Sequence, residues 1–441
     1  MMRSFRILWM AQICLWIIAL LFAPAATADS GHVDVMRIDG IINPVAASYV
    51  DRGITTAERD GARAVVIEMN TPGGLDASMR SIISRILGAE VPVMVYGYPA
   101  GSRAASAGAF IMQAAHVAAM APNTSMGSAH PVVMGQNQPG QTETVPQDDA
   151  MMAKVTNDAV SYIKGLAERR GRNAVWAERM VRESVNATDR ESLDLKAIDL
   201  VAEDVPSLLQ QADGKEVKLA AGTVKIQTAN ARIDRLDMNF IEQFLLIISD
   251  PNIAYILLFL GVNALIYELA NPGAILPGVV GVISLLLAFF SLGTLPVNYS
   301  GVALIIFAFI LFFAEIKIQS HGVLLGGGII SMILGSMILM NTGAPFLHIA
   351  WTTIAGAVGT TSLFFIFVVS KGAAALRRKA VTGKEGLIGA VGEAKSDIGP
   401  EGIVLVQGER WTAISREGTI SQGSKIRVVG LDGFKLIVAK Y

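Results

Sequence analysis

Cysteine is almost missing from this chain: its 441 residues hold one, Cys14. That residue lies in an N-terminal stretch with Arg3 and Arg6, an apolar run over residues 7–22 and the triplet Ala26-Thr27-Ala28. Positive start, apolar middle and small-x-small end are the parts of a secretory signal peptide, predicted over residues 1–28. Cleavage after Ala28 leaves a mature chain without cysteine, which excludes disulfides, a thiol nucleophile and cysteine-ligated metal. An uncleaved signal anchor is the rival reading, and under either one the residues that follow are exported. Charge is also scarce: 17% of residues are Asp, Glu, Lys or Arg, while 52% are hydrophobic. Soluble domains carry about 25% charged residues, so part of this chain is expected to be solvated by lipid. Neither sign dominates, since 37 acids against 36 bases leave −1; that balance argues against a nucleic-acid binder and against a disordered acidic tail. Histidine is sparse, and His32, His116 and His130 of the exported region form no HExxH arrangement, so no metal site is expected. Neither a GxxxxGK[ST] loop nor a GxGxxG turn follows a strand-like run, and no cofactor is predicted.

What is present falls into three regions. Residues 29–237 read as a soluble α/β domain. Short β-branched runs at 33–38, 64–69, 91–96 and 117–120 alternate with helix-like segments such as 45–59 and 78–87, the pattern of βαβ units around a largely parallel sheet. Helical patterns follow at 150–170 and 174–181, after a stretch at 139–149 rich in Pro, Gly and Gln that reads as an exposed loop. Residues 238–372 contain apolar runs at 252–269, 273–292, 301–314, 322–340 and 349–369. A helix needs about 20 apolar residues to cross the hydrocarbon core. Several runs qualify alone, the first and third only if their flanks join, and five crossings are predicted. Lys317 follows the third run, and Lys371, Arg377, Arg378, Lys379 and Lys384 follow the fifth. Basic loops mark the cytoplasmic side, so a multi-pass protein of the cell membrane with an exported N-terminal domain and a cytoplasmic C-terminus is expected. Residues 382–441 carry strand-like runs at 390–394, 402–406, 410–414, 425–429 and 435–438, which suit a small all-β barrel of the OB type. With one tryptophan there, Trp411, a protein-interaction role fits better than nucleic-acid binding.

Four features of the exported domain could carry chemistry. Thr71-Pro72-Gly73-Gly74 stands between a strand and a helix; paired glycines let backbone amides approach a ligand, and a helix N-terminus favours negative charge, as an oxyanion hole requires. An ordinary tight turn has the same sequence. Ser106, in Ala105-Ser106-Ala107-Gly108-Ala109-Phe110, is either a helix N-cap, which spacing alone favours, or an accessible nucleophile. His130 lies in the segment 123–131, just before Pro131. Lys154 is either a solvated surface charge or, if buried, a base whose pKa desolvation pulls toward neutrality.

In this order the features resemble the Clp-protease and signal-peptide-peptidase class of serine proteases. The whole chain, with signal peptide, membrane block and terminal barrel, is similar to long-form NfeD proteins. The resemblance implies a Clp/crotonase-like exported domain, an all-helical membrane block and an OB-type barrel. It also implies a membrane-anchored serine protease with a Ser–Lys dyad: Ser106 as nucleophile, Lys154 as base, and Gly74, Ala107 and the adjacent Gly73 as oxyanion donors. His130 falls near where Clp peptidases place their base and is the rival to Lys154. Apolar segments of membrane-associated proteins, including stomatin-type partners, are the implied substrates; self-association is implied too. A membrane scaffold for a stomatin-like partner is the non-enzymatic alternative. Transport is disfavoured, because Glu268 and Glu315 lie near predicted span ends.

Overall fold

The computed structural model describes residues 31–132, 146–270, 273, 275–293, 295, 297–318, 320–340, 347–376 and 384–441, with backbone alone at 146–149, 270, 317, 368–376 and 384–385. The predicted signal peptide, most of the predicted 139–149 loop and the basic cluster at 377–379 lie outside them. Two compact units divide the chain, one holding the α/β domain and helices through Leu311 with Leu324–Thr361, the other Phe312–Val323 with Ser362–Tyr441.

The α/β domain runs β1 (His32–Asp39), α1 (Pro44–Asp60), β2 (Ala64–Asn70), α2 (Asp76–Leu87), β3 (Val93–Gly97), β4 (Arg103–Ala105), α3 (Ala107–Ala114), β5 (Val117–Met120), β6 (Ser125–Gly127), α4 (Pro146–Arg169), α5 (Ala174–Arg182), β7 (Asn186–Thr188), α6 (Asp189–Asp194), β8 (Leu200–Val201), α7 (Val205–Ala212), β9 (Glu216–Lys218), β10 (Thr223–Lys225) and β11 (Arg232–Arg235). A six-stranded sheet of order β11-β1-β2-β3-β5-β8 is parallel throughout. Parallel sheets bury both faces, and alternation along the strands feeds two cores. Met36, Ile38, Val65, Ile67 and Met69 pack on one side with α1–α3, while Val33, Val35, Val66, Met94 and Tyr96 pack on the other with α7. Strands β4, β6 and β7 form a second, smaller sheet. Helix α4 starts at Pro146, so the last four residues of the predicted loop belong to the helix.

An additional helix, α8 (Phe240–Ile248), precedes five apolar helices: α9 (Pro251–Ala270), α10 (Ile275–Gly293), α11 (Tyr299–Lys317), α12 (Val323–Leu339) and α13 (Trp351–Leu376). These five fall on the five predicted runs. Three helical stretches, Pro251–Leu269, Ile275–Gly293 and Tyr299–Ile316, are long and apolar enough to cross a membrane. The first and third runs are thus extended by their flanks, and the shorter helices are instead Val323–Leu339 and the apolar part of α13, Trp351–Phe367. A helix of 17 residues rises about 26 Å, against about 30 Å of hydrocarbon. Close backbone approach explains some of the many glycines: a Cβ on Gly301 of α11 would stand 2.8 Å from the carbonyl of Gly335 on α12, as at small-residue crossings in membranes.

A short helix, α14 (Lys384–Leu387), leads into β12 (Val391–Ala394), β13 (Glu401–Val406), β14 (Glu409–Ser415), β15 (Lys425–Asp432) and β16 (Lys435–Lys440). They close into a barrel of order β12-β13-β14-β16-β15 around Val404, Val406, Ala413, Ile426 and Leu436.

Candidate active site

Three parallel neighbours, β2 with its continuation through Thr71, β4 and β6, build the site. Strand β2 ends at Asn70, and Thr71 continues it as a bridge to Ala104: Thr71 donates its N–H to Arg103 O at 2.8 Å, and Ala105 returns one to Thr71 O at 3.1 Å. Strand β4 also pairs in parallel with β6, Ala104 facing Met126. The residue after β4 is Ser106, whose N–H donates to Gly127 O at 2.9 Å. The Pro-Gly-Gly turn and the serine are therefore brought side by side by backbone bonds alone.

Ser106 occupies the N-cap position of α3, as the bland reading of the sequence expected, yet its side chain makes no capping hydrogen bond. Its backbone stands at φ 52°, ψ −115°, a region that costs a non-glycine residue about 1–3 kcal/mol. A sharp strand–serine–helix turn of this kind presents a hydroxyl outward. Gly73, at φ 124°, is pressed against it: a Cβ there would lie 2.8 Å from Ser106 Cβ and 3.1 Å from its Oγ.

The two glycines play different parts. The Gly73 N–H donates to Thr71 Oγ1 at 3.0 Å, so that amide, one of the sequence candidates for the oxyanion, is already engaged. Gly74 bridges Ile42 through its neighbours: Ile42 donates to Gly73 O at 2.9 Å and Leu75 donates to Ile42 O at 2.8 Å. That bridge does not use the Gly74 N–H. A Cβ on Gly74 would fall 2.1 Å from Ile42 O, so only glycine fits. Ala107 is the first residue of α3, where a helix amide has no intrahelical acceptor.

Helix α3 is held at its far end by cations. The buried guanidinium of Arg172 donates from Nη1 to Met112 O and Gln113 O, both at 2.9 Å, and from Nη2 to Ala115 O at 3.0 Å and Asp199 Oδ2 at 2.6 Å. Arg170 Nε adds a bond to Ala114 O at 2.8 Å. Positive charge at a helix C-terminus complements its dipole and fixes the axis on whose first turn Ser106 sits.

A cleft of about 590 Å³ opens above the serine. Gly74, Ser106, Ala107 and Phe110 form one side, and Met151, Lys154, Val155, Asp158 and Ala159 of α4 form the other. Lys154 is thus brought to the same cleft as Ser106, and it is exposed there. Exposed apolar side chains, Val132 and Met151, stand at its margin. Helix α4 is pinned to α2 by Arg80, which donates Nε to Asp76 Oδ2 at 2.8 Å, reaches Asp158, and lies 4.6 Å above the Tyr162 ring. Burial opposes the Arg80 charge, but the two carboxylates outweigh it and hold its pKa above the ordinary value.

His130 is placed differently. Its Nδ1 stands 2.8 Å from Val181 O, which makes Nδ1 the protonated nitrogen, and His130 is not among the residues lining the cleft. His116 is buried; its Nδ1 accepts the Val93 N–H at 3.1 Å, and burial, with help from Arg170 and Arg172, pushes its pKa down to about 3. His32, Asp34 and Asp234 converge where β1 pairs with the edge strand β11, a grouping the sequence reading missed because the strand pairing creates it. Arg232 already donates to both Asp234 carboxylate oxygens, at 2.8 and 2.6 Å.

Family models match the chain in three consecutive segments. Residues 32–235 match the N-terminal domain of NfeD1b, residues 252–371 the NfeD integral membrane domain, and residues 384–440 the NfeD-like C-terminal, partner-binding domain. The membrane-bound protease PH1510 of Pyrococcus horikoshii is 36% identical over 443 residues, covering 98% of both chains. Membrane protein NfeD1b of Bacillus subtilis is 26% identical, covering 94% of both. Among solved structures, 1510-N, a membrane protease specific for a stomatin homolog from Pyrococcus horikoshii, is 33% identical, covering 50% of this chain and 99% of that one at a TM-score of 0.43. With a full-length relative at this identity and three matching domains in this order, the chain belongs to the NfeD family of membrane proteins.

Proposed function

We propose that this protein is a membrane-anchored serine endopeptidase. Ser106 Oγ attacks the scissile carbonyl carbon while neutral Lys154 Nζ takes the hydroxyl proton. The Gly74 and Ala107 N–H groups hold the resulting oxyanion, and Gly73 contributes the space beside the serine rather than its amide. The C–N bond then breaks as Lys154 returns the proton to the leaving amine. Water, deprotonated by Lys154, attacks the acyl-serine ester; the C–Oγ bond breaks, Lys154 returns the proton to Ser106 Oγ, and the second product leaves as a carboxylic acid. One preorganised oxyanion donor is worth roughly 3–4 kcal/mol of barrier.

The observation that carries this reading is Ser106, strained in its backbone and with a hydroxyl that makes no capping bond, in one apolar-margined cleft with Lys154. The full-length relative named a membrane-bound protease supports it. Lys154 is exposed in the cleft, and a peptide filling the cleft would exclude water from around its amine. Apolar segments of membrane-associated proteins, of the stomatin type named for the solved relative, suit the cleft margin. In this reading the α/β domain lies outside the cell membrane and the barrel in the cytoplasm, as the basic residues after the third and fifth apolar runs favour. The partner-binding family of residues 384–440 favours a second role, assembly with a stomatin-type protein, alongside cleavage.

The test uses the full chain in detergent with apolar peptides, comparing Ser106→Ala, Lys154→Ala and His130→Ala. Loss of cleavage in the first two with retention in the third is expected. Loss in His130→Ala with retention in Lys154→Ala would transfer the base to His130, and cleavage surviving Ser106→Ala would end the proposal.

A further inference from the structure

Helix α8, just ahead of the first span, is turned inside out for a soluble helix. Its one charged side chain, Glu242, is buried, while Phe240, Ile241, Phe244 and Ile247 are 82%, 65%, 41% and 60% exposed. Those four lie at i, i+1, i+4 and i+7, a single stripe on one helix face. Elsewhere the described α/β domain exposes the pair Val132 and Met151 at the cleft margin and single side chains such as Val175, Leu193 and Val224, which is ordinary for a surface.

The polar side of α8 is occupied by the α/β domain. Arg52 of α1 donates Nε to Glu242 Oε1 and Nη2 to Glu242 Oε2, both at 2.7 Å, and Nη2 also donates to Asp237 O at 3.0 Å. Glu242 completes a capping box with Asn239, accepting its N–H at 2.8 Å. Tyr49 OH donates to Leu236 O at 2.5 Å just upstream. The helix is therefore fixed in rotation, and the stripe cannot turn inward. Ile248 ends α8, and Pro251 begins α9, whose stretch Pro251–Leu269 is long and apolar enough to cross the membrane. Two residues cannot carry the chain far from the bilayer edge, since each spans at most about 3.6 Å.

We infer that α8 is an in-plane membrane helix whose Phe240–Ile247 stripe inserts into the lipid interface on the same side as the α/β domain, with Arg52–Glu242 holding that domain to it. An amphipathic helix with its apolar face outward binds the boundary between headgroups and acyl chains, and continuity with α9 selects lipid over a protein partner as its cover. The assignment is independent of whether the cleft cleaves peptides.

Full-length protein with Cys14→Ser, carrying Phe240→Cys, Phe244→Cys or Ile247→Cys, would be labelled with a nitroxide and reconstituted into phosphatidylcholine–phosphatidylglycerol vesicles. Val224→Cys, exposed on β10, serves as the aqueous control. Power-saturation spectroscopy then compares collisions with oxygen, which partitions into lipid, and with a water-soluble nickel chelate. The inference expects an oxygen-to-nickel ratio several-fold above the control at all three stripe positions. Nickel access equal to the control would overturn it in favour of an aqueous face. Shielding from both reagents would overturn it in favour of a protein cover, a second copy or a partner.

Discussion

Seven helix starts among the described residues fall into two groups, and the difference separates scaffold from site. Away from the cleft, α1, α5, α6, α7 and α8 begin at Asn43, Asn173, Thr188, Asp204 and Asn239, and in each the side chain accepts the backbone N–H three residues on. The two helices that start at the cleft, α2 after Leu75 and α3 after Ser106, have no side-chain cap. A helix start leaves four amides without partners, and a cap is worth about 1 kcal/mol. At α3 the residue best suited to cap, a serine, is held in a strained conformation with its hydroxyl turned away. Stability has been given up where amides and a hydroxyl are needed for a ligand.

The comparison can be broken by exchange. Ser106→Ala is expected to lower peptide turnover by about 10⁴-fold or more, whereas Asn43→Ala and Asp204→Ala leave turnover within a few-fold; a steady-state assay on the full chain distinguishes them. Gly73→Ala places a Cβ 2.8 Å from Ser106 Cβ and is expected to cost on the order of 10²-fold through displacement of the nucleophile. Equal turnover would show that the turn does not set the serine. Arg172→Met removes the cation from the far end of α3 and leaves three carbonyls and the Asp199 carboxylate without it; a loss of about 3 kcal/mol in denaturant unfolding is expected.

Smaller effects sharpen the same contrast by sign. Asp204→Ala should destabilise by about 1 kcal/mol, while Ser106→Gly, free to adopt φ 52°, should stabilise relative to Ser106→Ala by a similar amount. If both changes destabilise alike, Ser106 is an ordinary cap. Burial of neutral His116 adds a pH dependence. Its folded-state pKa of about 3 lies below the ordinary 6.5, so the unfolded chain takes up the proton first. Stability contributed by this group is full above about pH 6.5 and declines by roughly 1.4 kcal/mol per pH unit toward pH 3. Unfolding curves of a His116→Gln variant should be flatter across that window. Finally, Arg52→Met should lower turnover of a bilayer-anchored peptide several-fold and spare a soluble one.

Much of the frame was readable from residue order. Strand-like runs at 33–38, 64–69 and 117–120 and all five barrel strands lie within a few residues of their observed bounds, because β-branched runs between glycines have few other solutions. The small sheet of β4, β6 and β7 was not readable: strands of three residues carry no period. Its consequence is large, since β4, held by β6 on one side, is bridged to Thr71 on the other and so sets Ser106 beside Gly73. Nor could spacing separate a capping serine from a presented one, a distinction made by one backbone angle. The engaged Gly73 amide depends on the Thr71 hydroxyl folding back, and the inverted face of α8 depends on Arg52, 190 residues away. Local sequence sets periodicity; partners distant in the chain decide which polar groups remain available.

The most direct measurement is mass spectrometry of the full-length protein trapped with a slowly deacylating ester. Acylation of Ser106 that disappears in Lys154→Ala and persists in His130→Ala is the predicted result. An adduct on another residue, or one that survives Lys154→Ala and vanishes in His130→Ala, would contradict the Ser106–Lys154 pairing.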